Sequence, residues 1–187
     1  MESDIRSRMN APIFLVGFMC SGKSTFGKAL AARLEVDFID LDDYIVTRCG
    51  RSVSEIFRDE GEVGFRRIEA EALQNVLNSH EATCAVIALG GGTPCREGVM
   101  ETLAEKGVTV HLDAPIERLV ERLILGAAQR PLIAGKTPSE IKAFVEKSLS
   151  ARNPFYSRAL HTFDSSLLET EAQISQSVSR FINQILS

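Results

Sequence analysis

The sequence has no basic excess. Its 187 residues carry 21 Lys and Arg against 25 Asp and Glu, a formal net charge of −4. Proteins that hold a nucleic-acid backbone usually carry surplus cations to displace counterions, so no nucleic-acid partner is expected. A small anionic ligand needs only a few local cations, which this balance permits. Also missing is any apolar run near the roughly 20 residues that cross a bilayer. Met1–Asn10 mixes Glu, Asp and Arg without an apolar core and does not read as a secretory signal. No membrane association is expected. Cys20, Cys49, Cys84 and Cys95 lack C-x-x-C spacing and have no paired His clusters. Reduced thiols in a cytoplasmic protein are expected, without a structural disulfide or zinc site. His80, His111 and His161 lie far apart and carry no assigned role. There is no internal repeat, low-complexity tract or dividing linker, and a chain of this length that is 44% hydrophobic fits one domain spanning 1–187. Nothing suggests an obligate interface, so a monomer is expected.

What is present alternates between two periodicities. Pro12–Gly17 is fully apolar and reads as a strand; in Thr25–Leu34, Phe26, Leu30 and Leu34 fall on one helical face. Phe38–Leu41 reads as a second strand ending in carboxylates, and Glu60–Leu77 as a helix carrying Phe65, Ile68, Leu73 and Val76. Cys84–Leu89 is a third strand, stopping at three glycines. Val108–Leu112 is a fourth, followed by a helix over Pro115–Leu125 with Pro in its first turn. Ser139–Ser150 is helical, Leu160–Phe163 a weak strand, and a last helix carries Ile174, Val178, Phe181, Ile182 and Ile185. Continuous apolar strands alternating with helices predict an α/β fold, a three-layer α/β/α arrangement around a parallel sheet of about five strands. Ligands collect beyond the carboxyl ends of such strands. Gly17–Ser24, Asp40–Asp43 and Gly90–Gly92 all fall there.

Gly17-Phe18-Met19-Cys20-Ser21-Gly22-Lys23-Ser24 matches G-x-x-x-x-G-K-[ST] between a strand and a helix, the context that motif requires. Glycines let the backbone curl so that its N–H groups face phosphate oxygens, and the following helix adds the positive end of its dipole. Lys23 reaches the β- and γ-phosphates, and the Ser24 hydroxyl suits Mg²⁺. Cys20, Ser21, Gly22, Lys23, Ser24 and Thr25 are therefore expected at a nucleoside triphosphate. No N-K-x-D guanine-reading segment is present, and the short chain favours a small-molecule kinase over a switch or motor.

Further motifs follow in order: Phe38-Ile39-Asp40-Leu41-Asp42-Asp43, Phe65-Arg66-Arg67-Ile68-Glu69, Leu89-Gly90-Gly91-Gly92, Arg130-Pro131-Leu132 and Arg152-Asn153-Pro154-Phe155-Tyr156. With the phosphate loop, this set closely resembles the shikimate kinase family, of the P-loop kinase type, from about Ile13 to Phe163. The resemblance implies ATP-dependent phosphorylation of the shikimate 3-hydroxyl in aromatic amino-acid biosynthesis, with ATP and shikimate as small-molecule partners and Mg²⁺ as cofactor. It implies Lys23, Asp42 and Arg130 as catalytic, Arg130 also on ATP, and Asp42, Arg66, Gly91 and Arg152 on shikimate. Ser24 and, through water, Asp40 are implied at the metal. A core of 11–124 and 160–187, a lid at about 125–137 hinged at Gly126 and Gly135, and a substrate-binding helical region at about 42–78 follow from the same resemblance.

Elementary chemistry agrees with this set. A ring bearing a carboxylate and hydroxyls needs guanidinium forks and hydrogen-bond acceptors. Strand alternation would put Asp40 and Asp42 on one side, one for metal and one for substrate. Arg152 would be aimed by a helix ending before Pro154. Glu69 could brace Arg66 from i+3, and Phe57 and Phe65 match apolar positions around the ring. Two positions depart from the family pattern. Cys20 stands where glycine is usual, a place the general motif does not require to be glycine. Thr162 stands where an Arg near adenine is common, which shifts that task toward Arg122. The rival readings are a gluconate kinase-like enzyme and a nucleotide-binding homologue without catalysis.

Overall fold

The computed structural model describes residues 11–126, 133 and 135–186. The chain alternates strand and helix as β1 (Ile13–Val16), α1 (Lys23–Leu34), β2 (Asp37–Asp40), α2 (Leu41–Cys49), α3 (Val53–Leu77), β3 (Ala85–Ala88), α4 (Val99–Lys106), β4 (Val108–Asp113), α5 (Ile116–Leu125), α6 (Pro138–Tyr156), β5 (His161–Asp164) and α7 (Glu171–Ile185). The five strands form one sheet in the order β2-β3-β1-β4-β5, parallel at every pairing.

Every residue of β1 is buried, because both faces of the sheet are covered. Side-chain alternation splits the strand between two cores. Phe14 and Val16 join Leu41, Ile45, Ile56, Phe65, Leu73 and Ile87 on the face covered by α2, α3 and α4. Ile13 and Leu15 join Phe26, Leu30, Val110, Phe163 and Phe181 beneath α1 and α7. A third cluster, with Phe18, Leu119, Leu123, Val145 and Tyr156, ties α5 and α6 to the site end of the sheet.

Several element boundaries differ from the expected ones, each for a local reason. Strand β2 ends at Asp40, because the Asp40 carboxylate accepts the Asp42 N–H at 3.0 Å and starts α2. Leu41 is therefore helical, and strand alternation does not relate Asp40 to Asp42. Helix α3 begins at Val53 on a Ser52–Glu55 capping box, with a left-handed break at Gly61. Helix α4 has no counterpart in the expected elements, although Val99, Met100 and Leu103 form its buried face. Helix α6 runs through Pro154 to Tyr156. A proline in the last turn removes only its own amide from the ladder, and Ser157 N–H still donates to Asn153 O at 2.8 Å.

Chain direction at β1 positions the site. From β1 the chain crosses to β2 at one edge, returns to β3 beside β1, and then leaves for β4 and β5 on the other side. The carboxyl ends of β1 and β3 therefore border a crevice at the switch point of the sheet. Helix α7 is held over the opposite core by Phe26, Phe163 and Phe181, whose ring centroids lie 5.2 to 5.3 Å apart. Phe181→Ala is expected to cost about 3–5 kcal/mol of stability through the lost burial and the cavity it leaves. Urea unfolding monitored by circular dichroism checks this, and a loss under about 1 kcal/mol would contradict the packing role.

Candidate active site

The phosphate loop curls around the Lys23 amine. Its Nζ donates to Gly17 O and Phe18 O, both at 2.9 Å, and Ser21 N–H closes a turn on Phe18 O. Gly17 and Gly22 take positive φ, and α1 starts at Lys23. Burial pushes the Lys23 amine down to about 8, against the pull of the Asp42 and Asp40 carboxylates. Its two hydrogen bonds go to neutral carbonyl oxygens, so phosphate oxygens at this point would be strongly favoured partners.

A cavity of about 530 Å³ opens from the loop. Cys20, Gly22, Lys23, Ser24 and Thr25 line it as expected, together with Arg122, Leu125, Leu168 and Glu169. Ser21 does not line it: its buried hydroxyl is turned into the loop and has no hydrogen-bond partner among the described residues. Thr162 is likewise absent from this wall and borders a separate cavity with Asp113, Asn153 and Asp164. The segment that completes this wall is the turn after β5, where Leu168 and Glu169 carried no motif that sequence reasoning could detect. Arg122 is at the cavity, as expected. Its N–H groups donate to Cys20 O (3.2 Å), Ser165 O (3.0 Å), Ser166 O (3.2 Å) and Glu169 (2.8 Å), stitching the loop to that turn.

Cys20 has φ +63°, in the left-handed region. Glycine reaches that conformation without steric penalty, whereas a β-carbon crowds the backbone. Glycine at this position is thus a backbone preference that the general motif does not express.

Asp40 and Asp42 meet beside Lys23 through the start of α2. Ser24 Oγ donates to Asp40 Oδ2 at 2.5 Å, so a hydroxyl and a carboxylate oxygen sit together at the mouth of the loop. Hard oxygen donors of this kind suit Mg²⁺, which keeps waters and phosphate oxygens as its other ligands. Asp42 is further inside. Burial pushes its carboxyl up to about 6, and the Asp40 and Glu69 charges add to the effect.

On the other side of the crevice, each glycine after β3 abuts a different polar group. A β-carbon at Gly90 would lie 3.3 Å from Asp42 Oδ1, one at Gly91 3.3 Å from Arg152 Nη1, and one at Gly92 2.7 Å from Arg66 Nη2. The Gly91 position is also 3.3 Å from Met19 N and 3.4 Å from Gly17 O, in the phosphate loop itself. Asp42, Arg66, Gly91 and Arg152 are thereby brought to one place, and Gly90 and Gly92 join them. The expected brace is present: Arg66 Nη1 donates to Glu69 at 2.9 Å. Glu69 is only 1% exposed and also accepts from Thr93 Oγ1 at 2.7 Å. Phe65 stacks on Phe57 with centroids 4.4 Å apart and underlies the Arg66 guanidinium; Phe18 does the same for Arg152. Arg130 lies outside the described residues. Of the two expected hinges, Gly135 takes φ +75°, whereas Gly126, at φ −101°, is in a conformation open to any residue.

Two outcomes follow from these strained or desolvated positions. The folded-state Asp42 carboxyl titrates near 6 against an ordinary value of 3.8. Its contribution to stability is favourable below about pH 4 and is lost as pH rises through about 6. Asp42→Asn should therefore raise the thermal midpoint at pH 7.5 and change it little at pH 4, while turnover falls; a lowered midpoint at pH 7.5 would contradict the desolvation. For Cys20→Gly, relief of the left-handed penalty, about 1–2 kcal/mol, outweighs the extra chain entropy of glycine, about 0.5–1 kcal/mol. Thermal melts should show a rise of roughly 2 °C, and a fall would mean that thiol packing dominates.

The sequence from residue 19 to residue 185 matches the family model described as shikimate kinase. Shikimate kinase of Parabacteroides distasonis is 42% identical over 162 residues, 87% of this chain and 92% of that protein. That of Azobacteroides pseudotrichonymphae is 47% identical over 151 residues, 81% of this chain and 88% of that protein. Among solved structures, shikimate kinase from Bacteroides thetaiotaomicron superposes with a TM-score of 0.87 at 40% identity, covering 92% of this chain and 97% of that one. Shikimate kinase from Acinetobacter baumannii in complex with shikimate gives 0.82 at 28% identity, covering 100% and 97%. The curled loop around Lys23 and the crevice it shares with the three glycines thus sit on a fold and sequence held in common with these enzymes, and the chain belongs to the shikimate kinase family of ATP-dependent phosphotransferases.

Proposed function

We propose that this chain transfers the γ-phosphoryl group of ATP to the 3-hydroxyl of shikimate, releasing ADP and shikimate 3-phosphate. The observation that carries the reading is the meeting of Asp42, Arg152 and Arg66 on three consecutive glycines that touch the phosphate loop. Such a place accepts a carboxylated, hydroxylated ring beside a triphosphate. The two guanidinium groups bind the carboxylate, each flattened on an aromatic ring that limits its motion. Gly91 leaves room for the ring to approach the backbone. Asp42 orients the attacking hydroxyl and, with its carboxyl held near 6, takes up the proton as the bond to phosphorus forms.

Lys23 and the loop amides hold the β- and γ-phosphates in line with that hydroxyl. In phosphoryl transfer such positioning and charge neutralisation carry most of the rate. Ser24 and Asp40, the latter through water, would hold Mg²⁺, which would supply positive charge to neutralise the phosphates. Arg130 would descend from a lid at about 125–137 onto the phosphates, where an arginine contributes about 10³–10⁵ in rate in comparable enzymes. The helical region at about 42–78 serves as the substrate-binding part of a single domain. A monomer acting in the cytoplasm, within aromatic amino-acid biosynthesis and without nucleic-acid or membrane partners, completes the reading.

A coupled assay of ADP release with shikimate, gluconate and AMP side by side tests it. Turnover with shikimate alone is expected. Turnover only with gluconate would sink the assignment, and ATP binding without turnover on any acceptor would favour an inactive homologue. Lys23→Ala should abolish turnover. Arg66→Ala should raise the shikimate KM about 10- to 100-fold, the equivalent of a lost charge-assisted hydrogen bond, with ATP binding intact; unchanged kinetics would remove Arg66 from the site.

A further inference from the structure

The last residue of α6 is the largest fully buried side chain of the fold, and its polar end faces the acceptor crevice. Tyr156 has 0% exposure, and its hydroxyl donates to Gly91 O at 2.5 Å. The Arg152 guanidinium, one helical turn earlier, flanks the same glycine: a β-carbon at Gly91 would lie 3.3 Å from Arg152 Nη1. The hydroxyl therefore holds the Gly91 peptide at the point where Arg152 abuts it. The ring is locked from behind: His111, on β4, stacks on it with centroids 5.1 Å apart and planes 29° from parallel.

The Gly91 carbonyl has a second donor as well. Cys95 Sγ approaches it at 3.8 Å, so both lone pairs of this oxygen are engaged from the protein interior. Burial pushes the Tyr156 and Cys95 groups up, which keeps both protonated and able to donate. A plain strand-to-helix connection has no need for two side-chain donors on one carbonyl. A peptide unit is planar, so fixing that oxygen fixes the direction of the Gly92 N–H on the opposite side of the same unit. The backbone of the glycine triplet, which has no side chains of its own to orient it, is oriented by Tyr156.

We propose that Tyr156 is a positioning residue for the acceptor, holding the Gly91 peptide against Arg152 in the geometry that receives the substrate carboxylate and ring. Its link to shikimate rests on the functional reading above. Helix α6 is thereby more than a wall, since its final turn transmits the position of the third core cluster to the substrate. Arg152 and Gly91 are 61 residues apart in sequence, yet a β-carbon at Gly91 would lie 3.3 Å from Arg152 Nη1.

Steady-state kinetics of Tyr156→Phe, which keeps the ring and its packing, test this. The shikimate KM should rise roughly 3- to 10-fold, the range that one neutral hydrogen bond contributes, while kcat and the ATP KM stay within about twofold. Calorimetric titration of shikimate without ATP should weaken by the same factor. An unchanged shikimate KM overturns the proposal. So does a parallel loss in kcat and both KM values with a lower thermal midpoint, which would mark Tyr156 as structural only. Should Tyr156→Phe fail to fold, Cys95→Ala removes the weaker donor to the same carbonyl, and a rise in shikimate KM of about twofold is expected; no rise would overturn the proposal. The wild type run alongside separates the two levels. Absence of shikimate turnover there would remove the functional reading and this inference with it, whereas wild-type turnover with an indifferent variant would remove the inference alone.

Discussion

The site depends on the parallel pairing of β1 with β3 at the point where the chain turns from one side of the sheet to the other. Two adjacent strands whose connections depart in opposite directions leave no helix over their shared carboxyl end. Into that gap come two glycine-rich segments, and their backbones approach closely enough that a β-carbon at Gly91 would lie 3.4 Å from Gly17 O. Donor and acceptor halves of the reaction are therefore neighbours through main chain, which side-chain motions do not easily disturb. Asp42 from α2, Arg66 from α3 and Arg152 from α6 then converge on the same few ångströms, the first two anchored in one apolar cluster and the third in another.

Desolvation gives this crevice its chemical character. Lys23 is pushed down to about 8 and Asp42 up to about 6, both toward neutrality. Each charge is held where water solvates it poorly, which raises its affinity for an ionic partner and its readiness to exchange a proton. The arginines are held instead: Arg66 by the buried Glu69 carboxylate and Arg152 on the Phe18 ring. Lys23 and Asp42 are thus left under-compensated, while Arg66 and Arg152 are tied down.

Much of this was legible in the letters. Continuous apolar runs at Pro12–Gly17 and Cys84–Leu89 announced buried parallel strands, and Gly17–Ser24 announced phosphate chemistry, because few other conformations tolerate that glycine spacing. The set of Asp42, Arg66, Gly91 and Arg152 was named by resemblance, and the fold brings its members together. Other features were hidden. Asp40 and Asp42 looked like two positions of a strand, but a cap formed at Asp40 and turned Asp42 onto a helix. Cys20 looked tolerant, since a motif records residue types and not the sign of φ. Leu168 and Glu169 escaped notice because which turn closes a cavity depends on how distant elements fold back, for which no spacing rule exists.

Local chemistry thus determined the elements, the phosphate loop and the identity of the charged groups, since periodicity, capping and glycine content act over a few residues. Only the tertiary structure decided which charges meet, how far burial shifts them, and which donors hold a bare glycine backbone in place. Those outcomes depend on distances between residues far apart in the chain. Tyr156 lies 65 positions from the Gly91 carbonyl it holds. The strand order that joins them is set by packing over the whole sheet, and no segment of the sequence contains it alone.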